Sequence, residues 1–205
     1  MAVASARPHS RMPADQRRAS ILRSAGELFG RDGYAGTRLD DVAAAAGVTK
    51  PMVYRHFASK KALYLALLAK HRDDLPSFVA EAGPAVDAGI ARDQLMRGIL
   101  KVWLTYVREN RHVWLMLFRD SSGGAEIQRE RRNLSSRARE VMAGFVTTVA
   151  GKSIPARQVD ATAEVLTSGL AGLALWWIEH PRARKADVLE VAVRLGSAAL
   201  AARPR

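Results

Sequence analysis

Thr37–Phe57 reads TRLDDVAAAAGVTKPMVYRHF, and the punctuation of that stretch decides the fold. Thr37 is a good helix N-cap, and Asp40 three residues on makes a capping-box pair with it. Asp40 and Asp41 put negative charge into a first turn, where the helix dipole favours it. Leu39, Val42, Ala43 and Ala46 fall on one face before Gly47 breaks the helix. A second short helix, about Lys50–Phe57, starts from Thr49, with Pro51 tolerable in its first turn. Two capped short helices around a glycine turn are the parts of a helix-turn-helix. Ala43, Gly47 and Val48 are small enough to let the helices cross closely. The second helix can then enter a DNA major groove with its N-terminus first.

The pattern extends in both directions. Ile21, Leu22, Ala25, Leu28 and Phe29 lie on one face of a helix expected over Ala14–Arg31, which Gly33 ends. Met1–Pro13 has no period and is expected to be a basic arm, one candidate for a minor-groove contact. Downstream, Ser59 caps a helix carrying Leu63, Leu67 and Leu68, and Pro76 with Gly83-Pro84 marks a seam. Longer helices are predicted around Leu95–Tyr106, His112–Arg119, Ile127–Val149, Val159–Ile178 and Val188–Ala199. No segment alternates as a strand does. The predicted class is all-α: an arm at 1–13, a DNA-binding domain at 14–60, a connecting helix at 61–84 and a helical domain at 85–205.

Charge agrees with that division. The 205 residues carry a formal net charge of +12, and residues 1–72 alone carry +8. A basic N-terminal third is the electrostatic footprint of a phosphate-binding surface. Cysteine is absent, which removes disulfides, thiolate metal sites and cysteine nucleophiles. No apolar run reads as long enough to cross a bilayer, and the N-terminus has no apolar core of a secretory signal. A cytoplasmic protein with no membrane partner is the expectation. The sequence has no Gly-rich phosphate loop, no HExxH and no nucleophile elbow. None of its five histidines has a second histidine at i+3 or i+4. No catalytic residue, metal or cofactor is expected.

The chain resembles the tetracycline-repressor (TetR) family of bacterial regulators. The residues that carry the resemblance are Ala25, Leu28, Phe29, Gly33 and Tyr34; Thr37; Asp41-Val42-Ala43 with Ala46-Gly47-Val48; and Tyr54-Arg55-His56-Phe57 with Ser59-Lys60-Lys61 and Leu63. It covers about residues 15–65. It implies that Thr37 and Lys61 meet phosphate, that Thr49, Lys50 and Met52 face the groove, and that Tyr54 and His56 meet backbone or base edges. Pro51 departs from the small residue common there and removes a backbone donor. The implied partner is palindromic double-stranded operator DNA, bound by a homodimer, with repression the commoner output.

Residues 85–205 hold all four tryptophans. Trp103, Tyr106, Trp114, Phe118, Phe145 and Trp176 could line an apolar cavity between helices, a common kind of small-molecule site. Arg108, His112 and Glu164 are candidates for an orienting bond there. The implied effector is small and apolar or aromatic. The alternative is a solid core in an effector-independent DNA-binding or interaction protein. Trp176 and Trp177 point about 100° apart on a helix, so that helix should bury two surfaces. The resemblance implies a four-helix dimer interface from the last two helices. Gly169, Gly172, Leu173, Trp177, Leu195 and Ala199 are its candidate residues.

Overall fold

The computed structural model describes residues 13–150 and 154–200. The arm expected at 1–13 therefore lies outside the described residues, apart from Pro13. Among the described residues the structure is all-α. The expected DNA-binding unit comprises α1 (Ala14–Gly36), α2 (Leu39–Ala45) and α3 (Lys50–His56), and α4 (Lys60–Asp74) leads out of it. A 3-10 turn at Leu75–Phe78 and a short α5 (Ala82–Asp87) occupy the expected seam. The larger part is built from α6 (Arg92–Glu109), α7 (Arg111–Phe118), α8 (Ala125–Ala150), α9 (Ala156–Glu179) and α10 (Lys185–Leu200).

Gly33 breaks the first helix, but the chain resumes one helical turn beyond it. Its φ of +73° is a left-handed conformation that glycine adopts without steric cost. The break corrects the expected capping box. Thr37 Oγ1 turns back and donates to the Gly33 carbonyl at 2.8 Å, so Thr37 finishes α1. Arg38 takes the N-cap position of α2, with no side-chain capping bond. Ser59 does cap α4, accepting from the Ala62 N–H at 3.0 Å.

The two parts share a core. Ile21, Phe29, Val42, Val53, Leu63 and Leu68 of α1–α4 pack in one cluster with Met116 of α7 and with Ile127 and Leu134 of α8. The α1–α7 crossing is close because α1 presents two glycines. A Cβ at Gly26 would sit 2.6 Å from the His112 ring, and one at Gly30 would sit 2.8 Å from the His112 Cα. A second cluster joins Leu95, Met96 and Leu100 to Phe145, Val149, Ala192 and Leu200. A third surrounds Leu104, Val107, Ala174, Trp177 and Val188.

Helix α9 corrects one reading of the sequence. By length and composition Ala156–Glu179 is apolar enough to cross a membrane, although no such run was expected. Only 28% of its most apolar stretch is buried inside the chain. One face packs on the bundle, while Val165 and Trp176 remain exposed on the other.

Candidate DNA-binding surface and internal cavity

The sequence of α3 divides it into an anchor and a face. Val53 is fully buried and Phe57 follows it into the core, which fixes the helix on its apolar side. Thr49, Lys50, Tyr54 and Arg55 are exposed, and Met52 and His56 are half-buried. Tyr54 keeps 48% of its surface, so it is not a packing tyrosine. Lys50 Nζ reaches back to Asp40 Oδ2 at 2.9 Å, bridging α3 to α2. Arg38 is exposed at the start of α2. The sequence reading missed Arg38 and Arg55; the available signal was a basic side chain at a helix start and another inside the matched motif.

Two expected phosphate contacts are engaged within the chain. Thr37 is 2% exposed and its hydroxyl is committed to Gly33. Lys61 Nζ is held by Glu126 Oε2 of α8 at 2.6 Å. The neighbouring Lys60 closes the end of α1: it donates to the Thr37 carbonyl at 2.9 Å and stands over the Tyr34 ring at 4.7 Å.

Between α1 and the loop before α8 is a buried polar junction that the sequence did not announce. Asp120 accepts from the Tyr34 and Ser122 N–H groups, both at 2.9 Å. Arg131 Nη2 donates to Tyr64 Oη at 2.6 Å and pairs with Asp120. Tyr64 Oη in turn donates to Asp120 at 3.3 Å. Burial pushes the Tyr64 phenol up to about 12, despite Arg131 acting the other way. Burial opposes the charge on Asp120, but bonds from Ser122 and Tyr34 and the nearby Arg131 hold its carboxyl below the usual range.

A cavity of about 490 Å³, partly open to the outside, is lined by residues of α4, the 3-10 turn and α6 to α10. Trp103, Tyr106, Trp114, Phe118 and Phe145 all line it. Trp114 makes an edge-to-face contact with Trp103 and stacks on Phe118 at 6.2 Å. Phe118 is half-exposed at the rim. The charged side chains of the lining are Arg139 and Glu164, which pair with each other at 3.2 Å. His71 enters the wall from α4, its Nδ1 against Tyr106 Oη, whose hydroxyl is also 3.4 Å from Asp74. Burial, with His112 nearby, pushes His71 down to about 3, so the imidazole is neutral.

Trp176 does not line the cavity. It is 45% exposed and stacks on His180 at 4.4 Å. Trp177, expected at the subunit interface, is 4% exposed instead. Its Nε1 donates to the Ala183 carbonyl, and Arg108 lies over its ring. Trp176 is thus exposed outside the cavity, and Trp177 is buried in the core between α6, α9 and α10. His112 faces α1 and not the cavity. Gly169 and Gly172 are exposed on α9, whereas Leu173, Leu195 and Ala199 are half-buried. Leu195 covers Gly169 so closely that a Cβ there would lie 2.8 Å from it.

Residues 21–67 match the family described as bacterial regulatory proteins, tetR family. The chain is 34% identical over 109 residues to the HTH-type transcriptional activator FasR of Mycolicibacterium smegmatis, covering 53% of this chain and 48% of that protein. It is 27% identical over 103 residues to the HTH-type transcriptional repressor NicS of Pseudomonas putida, covering 50% and 48%. The chain spans about half the length of these curated relatives. A TetR-like transcriptional regulator from Rhodococcus sp. RHA1 superimposes with a TM-score of 0.70 over 94% of this chain and all of that one, at 24% identity. Residues 21–67 are thus similar to the helix-turn-helix region of that family, and the architecture, a helix-turn-helix domain with a C-terminal helical domain, is the TetR-like fold.

Proposed function

We propose that this chain is a cytoplasmic, homodimeric, sequence-specific regulator of transcription whose hold on palindromic operator DNA is set by a small apolar or aromatic effector. The observation that carries the reading is that one helix serves both ends. Helix α4 packs Tyr64 into the DNA-binding core and its junction, and it places His71 in the cavity wall. Seven residues separate them, about 10 Å along the helix. A ligand that moves the cavity wall therefore moves the base of the recognition unit. The cavity favours this reading over a solid, effector-independent core.

Recognition is assigned to Thr49, Lys50, Met52, Tyr54 and His56, with Arg38 and Arg55 added for the phosphates. The exposed apolar face of α9 supports pairing with a second copy, since isologous two-fold closure is the usual solution. Two recognition helices would then stand about 34–36 Å apart. Repression is the reading carried forward, and the relatives include both an activator and a repressor.

The test is to select operator sequences from a random pool, then titrate hydrophobic compounds against the complex while following tryptophan emission. Binding of a palindrome that a compound weakens roughly 5- to 150-fold is the expected result. Absence of sequence preference in the selected pool would reject the reading.

A further inference from the structure

The lining of the cavity is uneven in exposure, and the unevenness marks where it opens. Its exposed members are Phe118 at the end of α7, Ser135 and Arg139 on α8, and Glu164, Ser168 and Gly172 on α9. The other lining residues are buried or half-buried. Ser135 and Arg139 are four residues apart, and so are Glu164, Ser168 and Gly172 in turn. Each set therefore marks successive turns along one side of its helix. The two rows meet at Arg139 and Glu164, so the cavity reaches solvent through a slot between α8 and α9.

An ion pair crosses that slot. Arg139 Nη1 donates to Glu164 Oε2 at 3.2 Å, joining α8 to α9. Each partner is also tethered on its own helix. Arg139 Nη2 donates to Ser136 Oγ at 3.2 Å, and Glu164 Oε1 accepts from Ser168 Oγ at 2.8 Å. Both side chains keep 51% of their surface, so the pair exchanges its bonds for water readily and adds little to the stability of the fold. We propose that the Arg139–Glu164 pair is the gate of the cavity. Closed, it bars the slot; a ligand passes between α8 and α9 when the two side chains part, and is covered when they rejoin. This rests on the effector-cavity reading above and adds the way in. The pair is closed before binding and closed after it, so it changes the barrier and leaves both end states alone. It sets how fast the regulator responds, while the rest of the lining sets the concentration at which it does.

Stopped-flow mixing of the full chain with N-phenyl-1-naphthylamine, an uncharged fluorophore that brightens in apolar surroundings, reads both rates. Glu164→Gln should raise association and dissociation together by about three- to fivefold, the upper range for an exposed ion pair, with Kd held within about twofold. Arg139→Ala should do the same. The charge-swapped double variant, Arg139→Glu with Glu164→Arg, should return to the slow rates of the parent chain, which a packing role for either side chain would not produce. At about 1 M salt the Debye length is about 3 Å, so the parent should speed up toward the single variants. The Glu164→Gln rates should hardly move, because the probe carries no charge. Unchanged rates in both single variants, a double variant as fast as the singles, or a change in Kd carried by dissociation alone overturns the gate and leaves the cavity reading standing. No binding of the probe overturns both.

Discussion

Arg131 Nη2 lies 2.9 Å from Asp120 Oδ2, with the two side chains only 7% and 8% exposed. The pair joins α8 to the loop before it, and through Tyr64 and the Tyr34 N–H it also holds α4 and the end of α1. Phe118, at the rim of the cavity, is two residues from Asp120. Two residues of chain and one ion pair thus link Phe118 to α1 and α4.

Removing one partner of a buried pair strands the other charge. Arg131→Met should lower unfolding stability by about 3–5 kcal/mol. The double variant Arg131→Met with Asp120→Asn should recover most of that loss, because no charge is left unpaired. Urea unfolding of the four proteins closes the cycle. If the double variant is as unstable as the single, the pair is not the source of the effect.

Acid should weaken the fold in a defined window. His71 is pushed down to about 3 and His112 to about 4, in each case mainly by burial. Both folded values lie below the unfolded value, so the unfolded chain binds more protons at mildly acidic pH. Stability is therefore full above about pH 6.5 and falls as pH drops toward 4. Each histidine contributes roughly 2 kcal/mol of that loss between pH 6.5 and 5. Denaturation midpoints measured across this range should fall less steeply in His112→Gln than in the parent chain. An identical slope would show that His112 is not the titrating group.

At the DNA surface, phosphate and base contacts separate by salt and by sequence. Arg38→Ala should weaken binding to all sequences alike and reduce the salt slope by about one. Lys50→Ala and Met52→Ala should change which sequences are preferred. Thr37→Val should lower stability with little change in the salt slope, because the Thr37 hydroxyl caps Gly33. A salt slope reduced as much by Thr37→Val as by Arg38→Ala would return Thr37 to the phosphate.

The adjacent tryptophans should part company when mutated. Trp176→Arg should dissociate the proposed dimer in light scattering and leave the fold intact. Trp177→Ala should instead cost about 3–5 kcal/mol of stability, as a large-to-small change in a packed core does. The reverse pattern would mean that α9 is rotated from the placement described here.

Local chemistry made α1 to α4 legible. The breaks at Gly33 and Gly47, the Ser59 cap and the apolar stripes all depend on residues within one or two turns of each other. Thr37 was misplaced by one element because it can cap forward or bond backward, and only the left-handed Gly33 decides which. Trp176 falls outside the cavity and Trp177 inside the core because a helix with two apolar faces fits either phase, and the choice is made by α6 and the segment at Ala183. Asp120 and Arg131 left no sequence pattern, since their pairing depends on a loop reversal and on Tyr64 far upstream. Gly26 and Gly30 carry no local signal of their purpose, which appears only when α7 lies across them.

Gly172 belongs both to the cavity lining and to the exposed side of α9, and a Cβ there would meet no atom within 4 Å. A dimer closing over α9 would set its two cavities back to back, one helix apart. Filling one would reshape the ground on which the other subunit stands. The dose–response curve of such a regulator should then be steeper than simple saturation, with a Hill coefficient between one and the two sites available. The cell would read its signal compound as a threshold, quiet over a range of low concentrations and then switching within a narrow span.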